Sequence, residues 1–198
     1  MYENKNSSRV SADAQTINAL LRAIHERDPE WAQRLISTAD LAGAVCQQLG
    51  VPAAELARIR QAAQLHDVGK VGIPDEILRK AGPLTPTERA FVQQAPSIAE
   101  RITLSAPALA TVAPLVRSAR ERYDGSGYPD GLAGDDIPLG ARIIAACAAL
   151  AAMTSDRPYA ERLDTTAALD ELDRVAGIQF DPLVVAALRQ AVLQLASS

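Results

Sequence analysis

One stretch limits the fold more than any other: residues 140–153 read Gly-Ala-Arg-Ile-Ile-Ala-Ala-Cys-Ala-Ala-Leu-Ala-Ala-Met, with Arg142 as their one charge. Alanine and leucine are strong helix formers, so the stretch is expected to be helical. A helix that is apolar all round has to be surrounded by other elements. The rest of the chain offers helices for the purpose, because aromatic residues make up only 4% of it and its apolar excess is alanine and leucine. Strands draw on β-branched and aromatic side chains. The expectation is an all-α protein, a bundle with residues 140–153 at its buried centre.

Helical periodicity and stop signals divide the chain further. Ile17, Leu20, Leu21 and Ile24 recur at helical spacing between about 14 and 26, and Asp28-Pro29 interrupts them. A second helix is expected over 30–49, closed by Gly50, and a third over 53–65. Residues 67–83 are rich in turn formers. Thr85-Pro86-Thr87-Glu88 is a helix start: the threonine caps, proline suits the first position, and glutamate three residues on closes a capping box. That helix is expected to reach Leu104, and another to run over 108–122. A glycine-rich loop, 124–138, precedes the central helix, and two last helices begin at the aspartate caps Asp164 and Asp181. Residues 1–12 are polar and expected to be flexible, leaving 13–198 as a single domain without internal repeat.

Charge narrows the ligands. With a net charge of -4 the chain has no general attraction for a polyanion, so a long nucleic acid is not an expected partner. No apolar run reaches the roughly 18 to 20 residues of a membrane span, and the polar N-terminus lacks the apolar core of a signal peptide. The expected location is the cytoplasm. Cys46 and Cys147 have no metal-type or redox-type spacing and read as small buried hydrophobes.

The dipeptide His66-Asp67 is weak evidence alone, since a histidine near a helix end is usually structural. With further ligands such a pair becomes chemical: the aspartate bridges two ions, the histidine binds one, and the ions turn a water into hydroxide. Lys70 stands close enough in sequence to hold a phosphate.

The wider string is more specific. His66-Asp67-Val68-Gly69-Lys70-Val71-Gly72-Ile73-Pro74 leads to Gly82-Pro83-Leu84-Thr85. Asp124-Gly125-Ser126-Gly127-Tyr128-Pro129-Asp130-Gly131-Leu132, Ile137-Pro138-Leu139-Gly140-Ala141-Arg142-Ile143 and Met153-Thr154-Ser155-Asp156-Arg157-Pro158-Tyr159 follow in order. Over roughly 15–190 the chain resembles the HD-GYP family, an HD-domain helical bundle of about seven to nine helices. In active members this resemblance implies two or three iron or manganese ions that hydrolyse cyclic di-GMP.

The resemblance also shows what is missing. The family's histidine on the second helix aligns with Arg34, another with Ala95, and an adjacent histidine pair with Ala119 and Arg120. Two late aspartates align with Ala148 and Ala151. Only His66 and Asp67 remain of the set, and the chain has no other histidine but His25, on the first helix. Glu121, Asp124 and Asp156 lie in the right blocks, but their spacing builds no replacement set. One histidine and one aspartate are too few donors for a di-metal site, so no resident metal or cofactor is expected, and His66, Asp67 and Lys70 stand as relics of a catalytic site.

Arginine at two of the lost positions offers a charge partner for Asp67, which would otherwise be a buried unpaired anion. At least one of Arg34 and Arg120 is expected within ion-pair distance of it. The candidate ligand-binding residues are Lys70, Arg34, Arg120, Gly127, Tyr128, Pro129 and Arg142. The expected role is a degenerate, non-catalytic signalling or scaffold module. Its candidate partners are cyclic di-GMP or another small nucleotide, a diguanylate cyclase domain, or another signalling protein. Two rivals stand beside it: a working phosphodiesterase with an unorthodox metal site, and an output domain of a longer receptor.

Overall fold

A computed structural model describes residues 3–155 and 162–196. The block Asp156-Arg157-Pro158-Tyr159 therefore lies outside the described residues. Among the described residues ten α-helices follow one another: α1 (Glu3–Arg27), α2 (Pro29–Gln48), α3 (Ala53–Leu65), α4 (Asp75–Leu78), α5 (Pro86–Val92), α6 (Ala95–Leu104), α7 (Ala113–Ser118), α8 (Leu139–Met153), α9 (Thr165–Arg174) and α10 (Pro182–Ala196). Short 3-10 turns occupy Val68–Gly72, Pro107–Val112 and Gly134–Asp136. Among the described residues there is no strand, so the fold is all-α as expected.

The caps show why the chain breaks where it does. Asp28 leaves helical geometry and its Oδ1 accepts the Trp31 N–H at 2.9 Å, so α1 stops and α2 starts across one residue with Pro29 at the first position. The capping box at Thr85 forms in full: Thr85 Oγ1 accepts the Glu88 N–H and Glu88 accepts the Thr85 N–H. Asp164 caps α9 through the Ala167 N–H, and Asp181 Oδ1 accepts the Leu183 N–H at the start of α10.

Three boundaries differ from the sequence reading. Helix α1 begins at Glu3 rather than near Ala14. The expected helix over 85–104 is two helices, and that over 108–122 is a 3-10 turn followed by the short α7. Proline explains both breaks. Pro96 and Pro114 have no N–H to bond the carbonyls of Val92 and Ala110 four residues back, and Pro107 follows the extended Ala106, so each proline sits in the first turn of a new segment, where the missing N–H costs nothing.

Helix α8 is buried through Ala141, Ile143, Ile144, Ala146, Cys147, Leu150 and Ala151, and packs against α2, α9, α10, α3 and α7. It shares the centre with α2, whose Leu35, Ala39, Ala42, Val45 and Cys46 are fully enclosed and which meets α1, α3, α8 and α10. Alanine at so many contacts lets these axes approach closely. The larger side chains between them carry the packing energy, and truncating Leu35 to alanine is expected to cost about 2–5 kcal/mol. Cys46 and Cys147 are free, fully buried thiols, and burial pushes Cys46 up to about 11. No helix among the described residues is long and apolar enough to cross a membrane.

Candidate functional site

His66 follows the last turn of α3, and Asp67 begins the 3-10 turn that carries Lys70. The turn is pressed against the start of α6: a Cβ on Gly69 would lie 1.9 Å from the Ala95 carbonyl oxygen, so only glycine fits. From the other side, the chain leaving α7 brings Ala119 and Arg120 over the same spot. The residues meet at a cleft of about 1240 Å³ walled by α2, α8, α9 and the 119–122 segment.

Asp67 is held at both oxygens. Arg120 donates from Nη2 to Oδ1, and Lys70 Nζ donates to Oδ2 at 2.5 Å. The carboxylate side chain is 11% exposed, against 31% for Lys70 and 35% for Arg120, so the two cations reach the cleft and the anion lies behind them. Burial would raise the Asp67 carboxyl, but Arg120, Lys70 and His66 together hold it well below the usual carboxylate range. Asp67 in turn raises Arg120. His66 Nδ1 lies 2.7 Å from the Ala63 carbonyl oxygen, and Nε2 lies 3.8 Å from Asp67. Burial, with Arg120 and Lys70 adding to it against the pull of Asp67, lowers the imidazole below its usual value and so favours its neutral form. Tyr128 borders the same cleft; burial raises its hydroxyl, and the nearby Arg120 pulls it the other way.

The two arginines divide. Arg120 is the partner of Asp67; Arg34 lines the cleft but its guanidinium turns to Glu30, one helical turn back on α2, at 3.9 Å. Of the aligned ligand positions, Arg34, Ala119, Arg120 and Ala148 share the cleft with His66 and Asp67. Ala95 packs instead on the Gly69 backbone, and Ala151 lines a separate hollow with Ser37 and Asp40. His25 is exposed on α1.

Three candidate binding residues are not on the cleft wall. Arg142 is drawn away by Asp181 and Asp135, both 2.7 Å from its Nη1, and serves to tie α8 to the start of α10. Gly127 is packed against backbone, where a Cβ would lie 2.3 Å from the Arg122 nitrogen and 2.5 Å from the Glu121 Cα. Pro129 follows a cis Tyr128–Pro129 peptide and does not reach the cleft. Asp124 is engaged by Ser126 and Arg122. Glu121 does border the cleft, but its Oε1 accepts the Asp130 N–H at 2.7 Å and so fastens the glycine-rich loop.

The sequence reading missed Arg117. It donates to both oxygens of Asp130 at 2.7 Å and to Glu100 at 2.6 Å, joining the loop to α7 and α6. Asp130 raises the arginine above its usual value and is lowered in return. The one signal for this in the sequence is a charge inside the apolar run of 113–118.

Among the described residues no three His, Cys, Asp or Glu side chains gather to hold an ion, and both oxygens of Asp67 already accept from protein cations. What the arrangement offers is one anion under two cations at the floor of a cleft. The opposite wall is apolar, built of Ala145, Ala148, Ala149, Ala152 and Met153.

Comparison with known proteins agrees with this architecture. The HD domain family matches residues 17–184. The chain belongs to the HD domain family. It is 42% identical over 185 residues to the cyclic di-GMP phosphodiesterase response regulator RpfG of Xanthomonas campestris, covering 92% of this chain and 49% of that protein. It is 37% identical to a cyclic di-GMP phosphodiesterase of Thermotoga maritima, covering 81% of this chain and 44% of that one. This HD domain thus spans about half the length of the curated relatives it matches. Among solved structures, Bd1817, a HDG"Y"P protein from Bdellovibrio bacteriovorus, superposes with a TM-score of 0.68 at 17% identity, over 96% of this chain and 63% of that chain, which is a likeness of fold.

Proposed function

We propose that this HD domain is a non-catalytic member of the HD-GYP type that binds a small anionic nucleotide, with cyclic di-GMP the first candidate, and works as a signalling module. The observation that carries the reading is the pairing of Asp67. Its two oxygens, the atoms an HD aspartate offers to metals, accept from Arg120 and Lys70. Guanidinium and ammonium groups neutralise a carboxylate and can contact a phosphate, but neither generates hydroxide. Without a strong Lewis acid the attacking water keeps a pKa of about 15.7. A cleft of about 1240 Å³ with a cationic floor and an apolar wall suits a nucleotide, whose phosphate and base need those two surfaces. The names of the relatives supply the choice of cyclic di-GMP.

Those same names favour the competing reading, an active phosphodiesterase with an unorthodox metal site. One sample separates the two. Protein purified without chelator is analysed for metal, titrated with cyclic di-GMP by calorimetry, and assayed for product with added manganese or iron. Substoichiometric metal, a binding isotherm and no product are expected. Turnover that disappears in a His66→Ala, Asp67→Ala double variant overturns the proposal.

A further inference from the structure

We propose that Asp67 is a built-in counter-anion that sets the cleft to accept one negative charge, so that the favoured ligand group is a phosphodiester rather than a phosphomonoester. The inference rests on the reading of the cleft as a ligand site and names the ligand chemistry.

Three charged side chains meet at the cleft floor: two cations, Arg120 and Lys70, and one anion, Asp67. They leave a single positive charge. Among the described residues the other cations on the wall have partners of their own, Arg34 in Glu30, Arg27 in Asp75 and Arg122 in Asp124, with Arg79 engaged as well, and the Glu121 carboxylate at the wall is tied to the loop through the Asp130 N–H. The carboxylate does not exhaust its partners. Arg120 gives it a hydrogen bond from Nη2 alone, and a guanidinium has five N–H donors; Lys70 gives it one of three. Both cations are partly exposed toward the cleft while Asp67 is behind them. A ligand anion can therefore bind on the open side without displacing the carboxylate. It then sits beside a fixed negative charge, and that repulsion grows with its own charge. A phosphodiester carries one charge on two free oxygens and matches the remaining donors. A phosphomonoester near neutral pH carries close to two, and among the described residues the second meets no cation without a partner of its own.

Removing the counter-anion should reverse the preference. Asp67→Asn keeps the shape of the side chain, leaves two positive charges unopposed, and turns the floor into a site for dianions. The test uses two probes that share an aromatic body for the apolar wall: bis(4-nitrophenyl) phosphate, a diester monoanion, and 4-nitrophenyl phosphate, a monoester. Each is titrated by NMR in the presence of chelator into the wild-type chain, Asp67→Asn and Asp67→Asn/Arg120→Gln, with the fold of each checked by circular dichroism. The wild type is expected to favour the diester. Asp67→Asn is expected to gain at least about tenfold for the monoester, a larger factor than for the diester. The second substitution is expected to cancel that gain. Should Asp67→Asn/Arg120→Gln fail to fold, Asp67→Asn/Lys70→Met serves in its place, since it removes the other cation.

Equal or weaker monoester binding by Asp67→Asn overturns the proposal, as does a gain that survives loss of the cation. The outcome is independent of cyclic di-GMP. A chain that ignores that nucleotide yet shows the reversal loses the ligand named above and keeps the counter-anion; a chain that binds it without the reversal does the opposite.

Discussion

Arg120 and Glu121 are neighbours in sequence, yet the two things they hold are specified in different ways. Arg120 faces the cleft and pairs with Asp67; Glu121 faces the loop and takes the Asp130 N–H. At Asp67 the requirement is electrostatic: a buried carboxylate needs positive charge nearby, and a metal ion, an arginine or a lysine can each supply it. At the loop the requirement is steric. Gly127 lies so close to the Glu121–Arg122 backbone that any side chain would collide with main-chain atoms, and Gly69 meets the start of α6 in the same way. An electrostatic demand can be met by several side chains, whereas a backbone contact admits only one residue type. The same few backbone contacts can therefore keep the shape of an HD domain while the charges around its aspartate vary.

The largest effects should come from the steric side. Gly127→Ala and Gly69→Ala each place a Cβ within 2.3 Å of a main-chain atom, where no rotamer change can relieve the clash. Each is expected to cost about 3 kcal/mol or more in chemical denaturation. If either costs less than the electrostatic substitution below, the backbone is not the stronger constraint and the comparison fails.

The electrostatic side should give a middle effect, and only at one of the two arginines. Arg120→Ala leaves Asp67 with Lys70 alone. Because Arg120 is partly exposed and one cation remains, the expected loss is about 2 kcal/mol, below the range for a fully buried pair. Asp67→Asn in that background should recover part of it, because no under-compensated charge is left. Arg34→Ala, whose partner is the exposed Glu30, should cost less than about 0.5 kcal/mol. Additive effects of the Arg120 and Asp67 changes in denaturation would show that the two do not interact.

The sequence disclosed the bundle because helix formers, proline stops and aspartate caps are local signals, and Asp28, Thr85, Asp164 and Asp181 all act where they stand. The two splits at Pro96 and Pro114 were just as local and were passed over. The site was legible to the level of which segments converge on it: Arg34, His66, Asp67, Arg120 and Ala148 do border one cleft. Side-chain direction was not legible. Arg34 and Arg142 lie on helices facing the centre, but Glu30 and Asp181 are nearer partners than the cleft, and such a choice depends on distances no spacing encodes. Arg117 escaped notice for the same reason, since its partners Glu100 and Asp130 come from different segments.

The smallest predicted effect tests whether an exposed anion-and-cation arrangement behaves like the buried one. Glu88 in the capping box accepts from Lys80 Nζ at 2.9 and 2.6 Å and from the Thr85 N–H at 2.7 Å. The Lys80 contact first, and the Thr85 N–H second, lower its carboxyl from 4.5 to about 2. The folded value is depressed, so the contribution to stability is fully present above the unfolded value of 4.5 and is lost as pH falls toward about 2. Lys80→Ala removes the larger cause and leaves the backbone one. The Glu88 side-chain carbonyl, followed by NMR through an acid titration, should then titrate between those two limits rather than at the lower one. The start of α5 should also fray at a higher pH than in the wild type. An unchanged midpoint would mean that solvent screens the lysine at this exposed site and that the cap alone holds the charge. Electrostatic pairing would then matter at Asp67 because that carboxylate is buried, and proximity of opposite charges would not be sufficient by itself.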